Sequence, residues 1–329
     1  MLKPLTIWIP TFQRHSQLLR LLDSIIETDI MSLADIVISD NDPESDLNRD
    51  LPRQSLDSCF QIKYIRNSAN LSAGANFLRA FESCRTSWLM IVGDDDTFDC
   101  SAALEIAESL RCCDQDVVGI KFDSSLYGKQ KLYQAASLSD WVDQLRSADY
   151  ADAFNNLCLV SNWIFRASPC RRYLSSGYLG YSSKVSHLFP AINAASASRS
   201  RLFFSPLKPV IHGCDNSSSW PKGPTWYEMV ITLQTFTGFI LESDRRALLR
   251  LLHHGRILRN AAKCLRIHQY YSTRGEGVRP WIIHAHLILG SWQYLIALIS
   301  VFPFLFLPFA LMPRALRRRL GDPGRPDRW

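Results

Sequence analysis

Residues 93–98 read G-D-D-D-T-F, so three adjacent carboxylates follow directly on the apolar run S-W-L-M-I-V. Like charges crowded at the end of a buried strand repel one another and lose hydration, which raises their pKa values and costs stability unless a counter-charge is present. A hard divalent cation removes that cost. Mg2+ or Mn2+ prefers oxygen ligands and commonly binds one or two carboxylates together with substrate phosphates. On an extended segment alternate side chains share a face, so Asp94 and Asp96 are expected to point one way and Asp95 the other. That D-x-D spacing suits one metal contact and one sugar or ribose contact. The alternative is an acidic loop capping the helix that begins near Ser101.

The elements that must position this cluster follow from hydrophobic periodicity. Leu5 to Pro10, Asp35 to Asp40, Gln61 to Arg66, Ser87 to Val92 and Val117 to Phe122 read as strands. Helical spacing runs through Leu18, Leu19, Leu21, Leu22, Ile25 and Ile26, then from Ser72 to Cys84 and from Ser101 to Cys112. Strands alternating with helices imply parallel pairing with helices on both faces of the sheet. Ligands of such sheets bind beyond the carboxyl ends of the strands. The segments there are P-T-F-Q-R (10–14), S-D-N-D (39–42), R-N-S-A-N (66–70) and G-D-D-D (93–96), all polar and expected to meet in one crevice. Later in the chain, 155–166 reads as a strand or buried segment with polar insertions and 188–197 as a helix. Residues 201–212 read as an edge-like extended segment, because two prolines exclude a central strand. Beyond Tyr227 the pattern is mostly helical, and the strands of 128–152 cannot be placed.

Taken in order, P-T-F-Q-R, I-S-D-N, N-L-S-A-G-A-N-F (70–77) and G-D-D-D resemble the motifs of family 2 glycosyltransferases with the GT-A fold, across roughly the first 120 residues. Within that family the chain looks most like the branch that includes abequosyltransferase-like enzymes of O-antigen assembly. The resemblance implies an α/β, Rossmann-like, mixed but mainly parallel sheet and a metal-dependent glycosyltransferase with a nucleotide-diphosphate sugar donor. It implies that Pro10 and Thr11 line the nucleotide pocket, that Asp40 hydrogen-bonds the base, and that Asn70, Gly74 and Asn76 shape the loop beside it. Asp94 would hold ribose or donor sugar, with Asp95 beside it, and Asp96 would hold the Mg2+ or Mn2+ that bridges the diphosphate. Turn capping in D-N-D-P is the competing role for Asp40, and helix capping for the asparagines. Arg14 is read as a solvated loop residue that can meet phosphate.

Members of this family that invert the anomeric centre usually supply a late Asp as base. This chain departs from that pattern, because Ala153 to Cys214 contains neither Asp nor Glu. Two histidines occupy the window. His187, in Y-S-S-K-V-S-H-L-F-P, falls where the acidic residue is expected, and a neutral imidazole with an ordinary pKa near 6.5 is a competent base; a core histidine is the competing role. The resemblance implies a basic residue near the diphosphate where His212 stands; His212 is the second choice for the base, with a structural role competing, and Asp215 is the alternative should His187 fail.

The bulk properties fit a globular enzyme: 47% of residues are hydrophobic and 21% charged. The formal net charge of +6 is concentrated in the tail, where 314–329 carries six Arg and two Asp. No basic helix interleaved with aromatics is present, so nucleic acid is not an expected partner. From Leu287 to Met312 there is no charged residue. This stretch is long enough to cross a bilayer, but Pro303 and Pro308 favour a re-entrant or interfacial segment that keeps the basic tail and the catalytic domain on one side. The expected organisation is a donor-binding half (1–122), an acceptor-binding half (123–226) and a helical region (227–329) attached to an anionic membrane surface at the cytoplasmic face of a bacterial inner membrane. The expected acceptor is a saccharide, lipid-linked by this reasoning. A nucleotidyltransferase and a silent membrane-attached scaffold are the competing functions.

Overall fold

A computed structural model describes residues 3–47, 62–124, 137–145, 153, 156–179, 185–198, 200–213 and 246. The chain opens with β1 (Leu5–Thr11), α1 (His15–Glu27), α2 (Ile30–Leu33), β2 (Ala34–Asp40) and β3 (Ile62–Arg66). It continues through α3 (Ser72–Ser83), β4 (Trp88–Ile91), β5 (Thr97–Phe98), α4 (Ala102–Arg111), β6 (Val117–Phe122) and α5 (Leu138–Asp143). After a 3-10 turn at Val160–Asn162 come β7 (Trp163–Arg166), a helix at Leu188–Ser198, β8 (Arg201–Ser205) and β9 (Val210–Ile211).

Among the described residues, seven strands form one sheet in the order β3-β2-β1-β4-β7-β6-β8. Every pairing in it is parallel except those of β7, which runs antiparallel to both β4 and β6. The ends of β1, β2, β3, β4 and β6 therefore open on one edge, and the start of β7 lies on that same edge. The sheet is mixed and mainly parallel, as expected, and strands from before and after residue 122 share it.

Side-chain alternation along these strands sorts the core into two layers. Leu5, Ile7 and Ile9 of β1 join Leu18, Leu21, Leu22 and Ile25 of α1 on one face. Trp8, Leu89 and Ile91 join Phe77 and Phe81 of α3 on the other. Both helices carry the i, i+3, i+4, i+7 spacing that makes one apolar stripe. Each aliphatic side chain so buried contributes about 1.5–3 kcal/mol.

Three expectations change at this level. The 201–212 stretch is two strands in different sheets: β8 lies at the edge of the main sheet, Pro206 and Pro209 fall in the link after it, and β9 leaves that sheet to pair antiparallel with β5. The 155–166 stretch resolves into helical residues at 156–158, the 3-10 turn and β7. The turn Gly93–Asp96, closed by Asp96 N–H donating to Gly93 O at 3.1 Å, replaces the extended segment on which the alternation of the aspartates was argued. Residues 287–312, the basic tail and Asp215 lie outside the described residues. Among the described residues no helix is long and apolar enough to cross a membrane.

Candidate active site

The acidic turn follows β4 directly, and its three carboxylates go to different partners. Asp94 accepts from Thr11 Oγ1 at 2.7 Å and pairs with Arg14 at 3.1 Å. The same Arg14 nitrogen reaches Asp95 at 3.0 Å. Arg14 is thus a buried counter-charge, 9% exposed, and not the solvated loop residue expected from sequence. The preceding residue, Gln13, has φ 54°, in the left-handed region disfavoured for a residue with a Cβ. Burial pushes the Asp94 carboxyl up to about 6, against the downward pull of Thr11 and Arg14. Burial and then the Asp96 charge also raise Asp95.

Asp96 turns the other way, toward the later half of the chain. Its Oδ2 accepts from Ser161 Oγ, which in turn accepts from Gly93 N–H at 2.9 Å. Its Oδ1 lies 3.2 Å from His212 Nδ1 and accepts from Gly213 N–H at 3.1 Å. The pairing of β5 with β9, Phe98 opposite Val210, brings His212 back to the turn it serves. Gly213 must be small: a Cβ there would stand 1.9 Å from Asp95 O.

Asp96 Oδ1 and His212 Nδ1 thus place an oxygen and an imidazole nitrogen at one point, a donor set suited to Mn2+. Among the described residues no group of three or more His, Cys, Asp or Glu side chains is placed to hold a metal. The two side chains fit a cation whose remaining ligands come from phosphate and water, the usual habit of a hard ion at a phosphate site.

The nucleotide-side residues divide into those that face the edge and those that build it. Asp40, 1% exposed, accepts from Asp42 N–H at 2.9 Å and from Tyr64 Oη–H at 2.9 Å. The turn-capping role weighed for it from sequence is therefore present. Asn76 lies in the core, not beside a ligand: its Oδ1 accepts from Trp8 Nε1 and its Nδ2 donates to Ser39 O, both at 3.1 Å. Asn70 is exposed and caps Ser72 N–H at 3.0 Å, the local bond that steadies Ser72 at φ 68°. Gly74 is buried, and its carbonyl accepts from Ser186 Oγ at 2.9 Å. Pro10 and Thr11 end β1 at the open edge.

His187 is the clearest correction. Its ring is enclosed against Phe77 and Phe165, at 5.7 and 6.2 Å between centroids, with no exposed surface and no hydrogen bond to either nitrogen. Burial, with the nearby Lys121, lowers its pKa to about 3. A base for an acceptor hydroxyl needs a nitrogen that the hydroxyl can reach, so the catalytic expectation at His187 gives way to a core histidine.

Sequence reasoning also missed Ser161, Asn41, Asn67 and Lys121. Asn41 Nδ2 donates to Ser72 O, and Asn67 Nδ2 donates to Asn41 Oδ1 at 2.8 Å, which ties the S-D-N-D and R-N-S-A-N segments together. The available signal was the asparagine directly after each strand end. Ser161 carried none, since its partner Asp96 is 65 residues away.

The family model described as Glycosyl transferase family 2 matches residues 6–171. Among solved structures, residues 1–349 of S. aureus TarS align over 97% of this chain and 88% of that one, with TM-score 0.61 and 12% identity. The same protein in complex with UDP-GlcNAc gives TM-score 0.61 and 11% identity over the same shares. The mannosyltransferase PcManGT from Pyrobaculum calidifontis, in complex with GDP-Man and Mn2+, aligns over 92% of this chain and 87% of that one, with TM-score 0.53 and 13% identity. No curated protein is significantly similar in sequence. At such identities the structural likeness speaks for the GT-A-type α/β fold alone.

Proposed function

Given that the chain belongs to glycosyl transferase family 2, we propose that it moves a sugar from a nucleoside diphosphate donor, held against a divalent cation at Asp96 and His212, onto a saccharide acceptor. The observation that carries this reading is the convergence of Asp96 Oδ1 and His212 Nδ1 at 3.2 Å on the edge where the parallel strands end. The complexes of similar folds with UDP-GlcNAc and with GDP-Man and Mn2+ support the donor class.

The chemistry is displacement of a nucleoside diphosphate from an anomeric carbon by an acceptor hydroxyl. A bound cation would supply charge neutralisation on the departing diphosphate. The chain's own residues set the stage for it. Ser161 and Gly213 fix the two oxygens of Asp96, so the carboxylate need not reorganise when the donor arrives. Thr11 and Arg14 hold Asp94 beside it, where a carboxylate can accept from ribose or donor-sugar hydroxyls. Asp40 and Asn67, at the ends of β2 and β3, stand on the base side of the same edge.

The finer reading places the enzyme in bacterial surface polysaccharide synthesis, in an abequosyltransferase-like branch, with a lipid-linked acceptor at the cytoplasmic face of the inner membrane. Its support is the uncharged stretch 287–312 followed by the arginine-rich tail, which suits an anionic headgroup surface.

The test is thermal melting of the full chain with UDP or GDP, with and without Mn2+. A ligand at 100 times its Kd stabilises the native state by about 2.7 kcal/mol. The expected result is a rise in Tm that needs both nucleotide and metal and vanishes in Asp96→Ala. An equal rise in that variant, or none in the wild type with any nucleoside diphosphate, would remove the reading.

A further inference from the structure

The transfer step needs a group to take the acceptor proton; residues 153–214 contain no carboxylate, His187 is sealed in the core and His212 faces Asp96. Among the described residues, the β6 side of the same sheet edge carries a further carboxylate. β6 runs parallel to β4 across the single antiparallel strand β7, so Asp123, one residue past the end of β6, opens on the edge that bears the acidic turn. Two consecutive residues join the two places. Ser161 holds Asp96 Oδ2, and Asn162 Nδ2 donates to Asp123 O at 3.2 Å.

The surroundings of Asp123 are asymmetric. Its Oδ1 is fixed by Ser124 N–H at 2.8 Å and by Asn156 Nδ2 at 3.0 Å. Its Oδ2 meets Lys208 Nζ at 3.4 Å; the Asp123 side chain itself is buried, at 4% exposure, and Lys208, at 44%, is its link to the surface. Asn156 is itself held by Lys121, whose Nζ donates to Asn156 Oδ1 at 2.9 Å and to Phe122 O at 2.7 Å. Lys121 has no exposed surface, and burial lowers its pKa well below the ordinary value. A lysine in an otherwise apolar strand is costly, yet here it does something no apolar residue can. By donating to Oδ1 of the amide, it forces Asn156 to present its N–H2 group, and never its oxygen, to Asp123. Nearby, Asn162 Oδ1 is fully buried without a hydrogen-bond partner.

We propose that Asp123 is the catalytic carboxylate on the acceptor side, with Asn156 and Lys121 as its positioning residues. In a single displacement the acceptor O–H proton passes to Asp123 Oδ2 and the acceptor oxygen forms the new bond to the anomeric carbon. The bond from that carbon to the diphosphate oxygen breaks, and its electron pair leaves with the nucleoside diphosphate. This rests on the transferase reading above.

The experiment follows release of nucleoside diphosphate from UDP-GlcNAc, UDP-glucose and GDP-Man with Mn2+, water serving as acceptor, alongside calorimetric binding of UDP and GDP. Asp123→Asn is expected to lose about 10²–10⁴-fold in kcat, the usual contribution of a positioned base, with the Kd for nucleoside diphosphate and Mn2+ unchanged. In Asp123→Ala, added sodium formate is expected to restore part of the rate. Lys121→Met should lower kcat at least tenfold at unchanged donor KM in the folded enzyme, and should also melt lower than wild type, because Asn156 Oδ1 and Phe122 O lose their donor in the core; a purely structural lysine would show the lower melting alone. Wild-type rates in Asp123→Asn, or a slow Asp123→Ala that ignores formate, overturn the assignment alone. A wild-type chain that binds no nucleoside diphosphate overturns both this assignment and the transferase reading.

Discussion

Replacing Asn76 separates a residue that builds the site from one that touches the donor. Its amide is fully buried, accepting from the Trp8 indole N–H and donating to Ser39 O, each at 3.1 Å. Asn76→Ala strands both groups at once. A buried polar group left unpaired costs about 1–3 kcal/mol, and the indole, with a single hydrogen to place, falls at the upper end. The carbonyl, with a second lone pair, falls at the lower. The expected loss is therefore about 3–4 kcal/mol, which at an m-value of roughly 2–3 kcal/mol/M lowers the urea midpoint by about 1–2 M. Asn76→Asp is expected to cost more at neutral pH, since it keeps the Trp8 bond but sets a charged oxygen against Ser39 O with no water to solvate it. The assay is urea unfolding followed by tryptophan fluorescence, with UDP and GDP binding measured at low temperature where the variant remains folded. Binding should match wild type. A variant that unfolds within 1 kcal/mol of wild type, or that stays folded yet loses nucleotide, refutes the reasoning and returns Asn76 to the nucleotide loop.

His187→Phe should leave turnover within about threefold of wild type at pH 7.5. It should also flatten the acid limb of stability: wild-type His187 stays neutral when folded but takes a proton when unfolded below pH 6.5, so with a native pKa of about 3 wild type loses roughly 3 kcal/mol by pH 4 that the variant keeps. Identical urea midpoint slopes between pH 7.5 and 4 would place the histidine outside the core. Gly213→Ala must push its Cβ away from Asp95 O, stretching the Gly213 N–H bond to Asp96; the expected outcome is at least a tenfold weaker Mn2+-dependent Kd for UDP or GDP with a stability cost of about 1–3 kcal/mol, and unchanged affinity would show that the turn yields freely.

The longer strands and helices of residues 5–122 were legible because each is long enough to display its period, and the observed limits lie within a residue or two of those read; the four-residue α2 was not read. The two-residue β5 and β9 were not: no periodicity exists in two residues, yet their pairing delivers His212 to Asp96. The acidic turn announced a need for a counter-charge, but the alternation argument assumed a strand where the backbone turns, so the partition of Asp94 toward Arg14 and Asp96 toward His212 was not foreseen. Arg14 illustrates the general difficulty. A basic residue in a polar loop reads as solvated until something 80 residues away encloses it. His187 fails for the converse reason: the window without carboxylates was real, but position in sequence could not say which way the ring faces. Lys121 stood in plain view in V-V-G-I-K-F, and what made it intelligible, Asn156, lies 35 residues downstream.

The bond from Gly213 N–H to Asp96 spans 117 residues. During synthesis at about 5–20 residues per second, the acidic turn is therefore made roughly 6–23 s before the glycine and histidine that finish it. For that interval the nascent chain carries Asp94 and Asp95 already matched by an Arg14 made earlier, while Asp96 still lacks its partners. The order of the residues along the gene thus ensures that the cation-holding half of the site is the last to be completed.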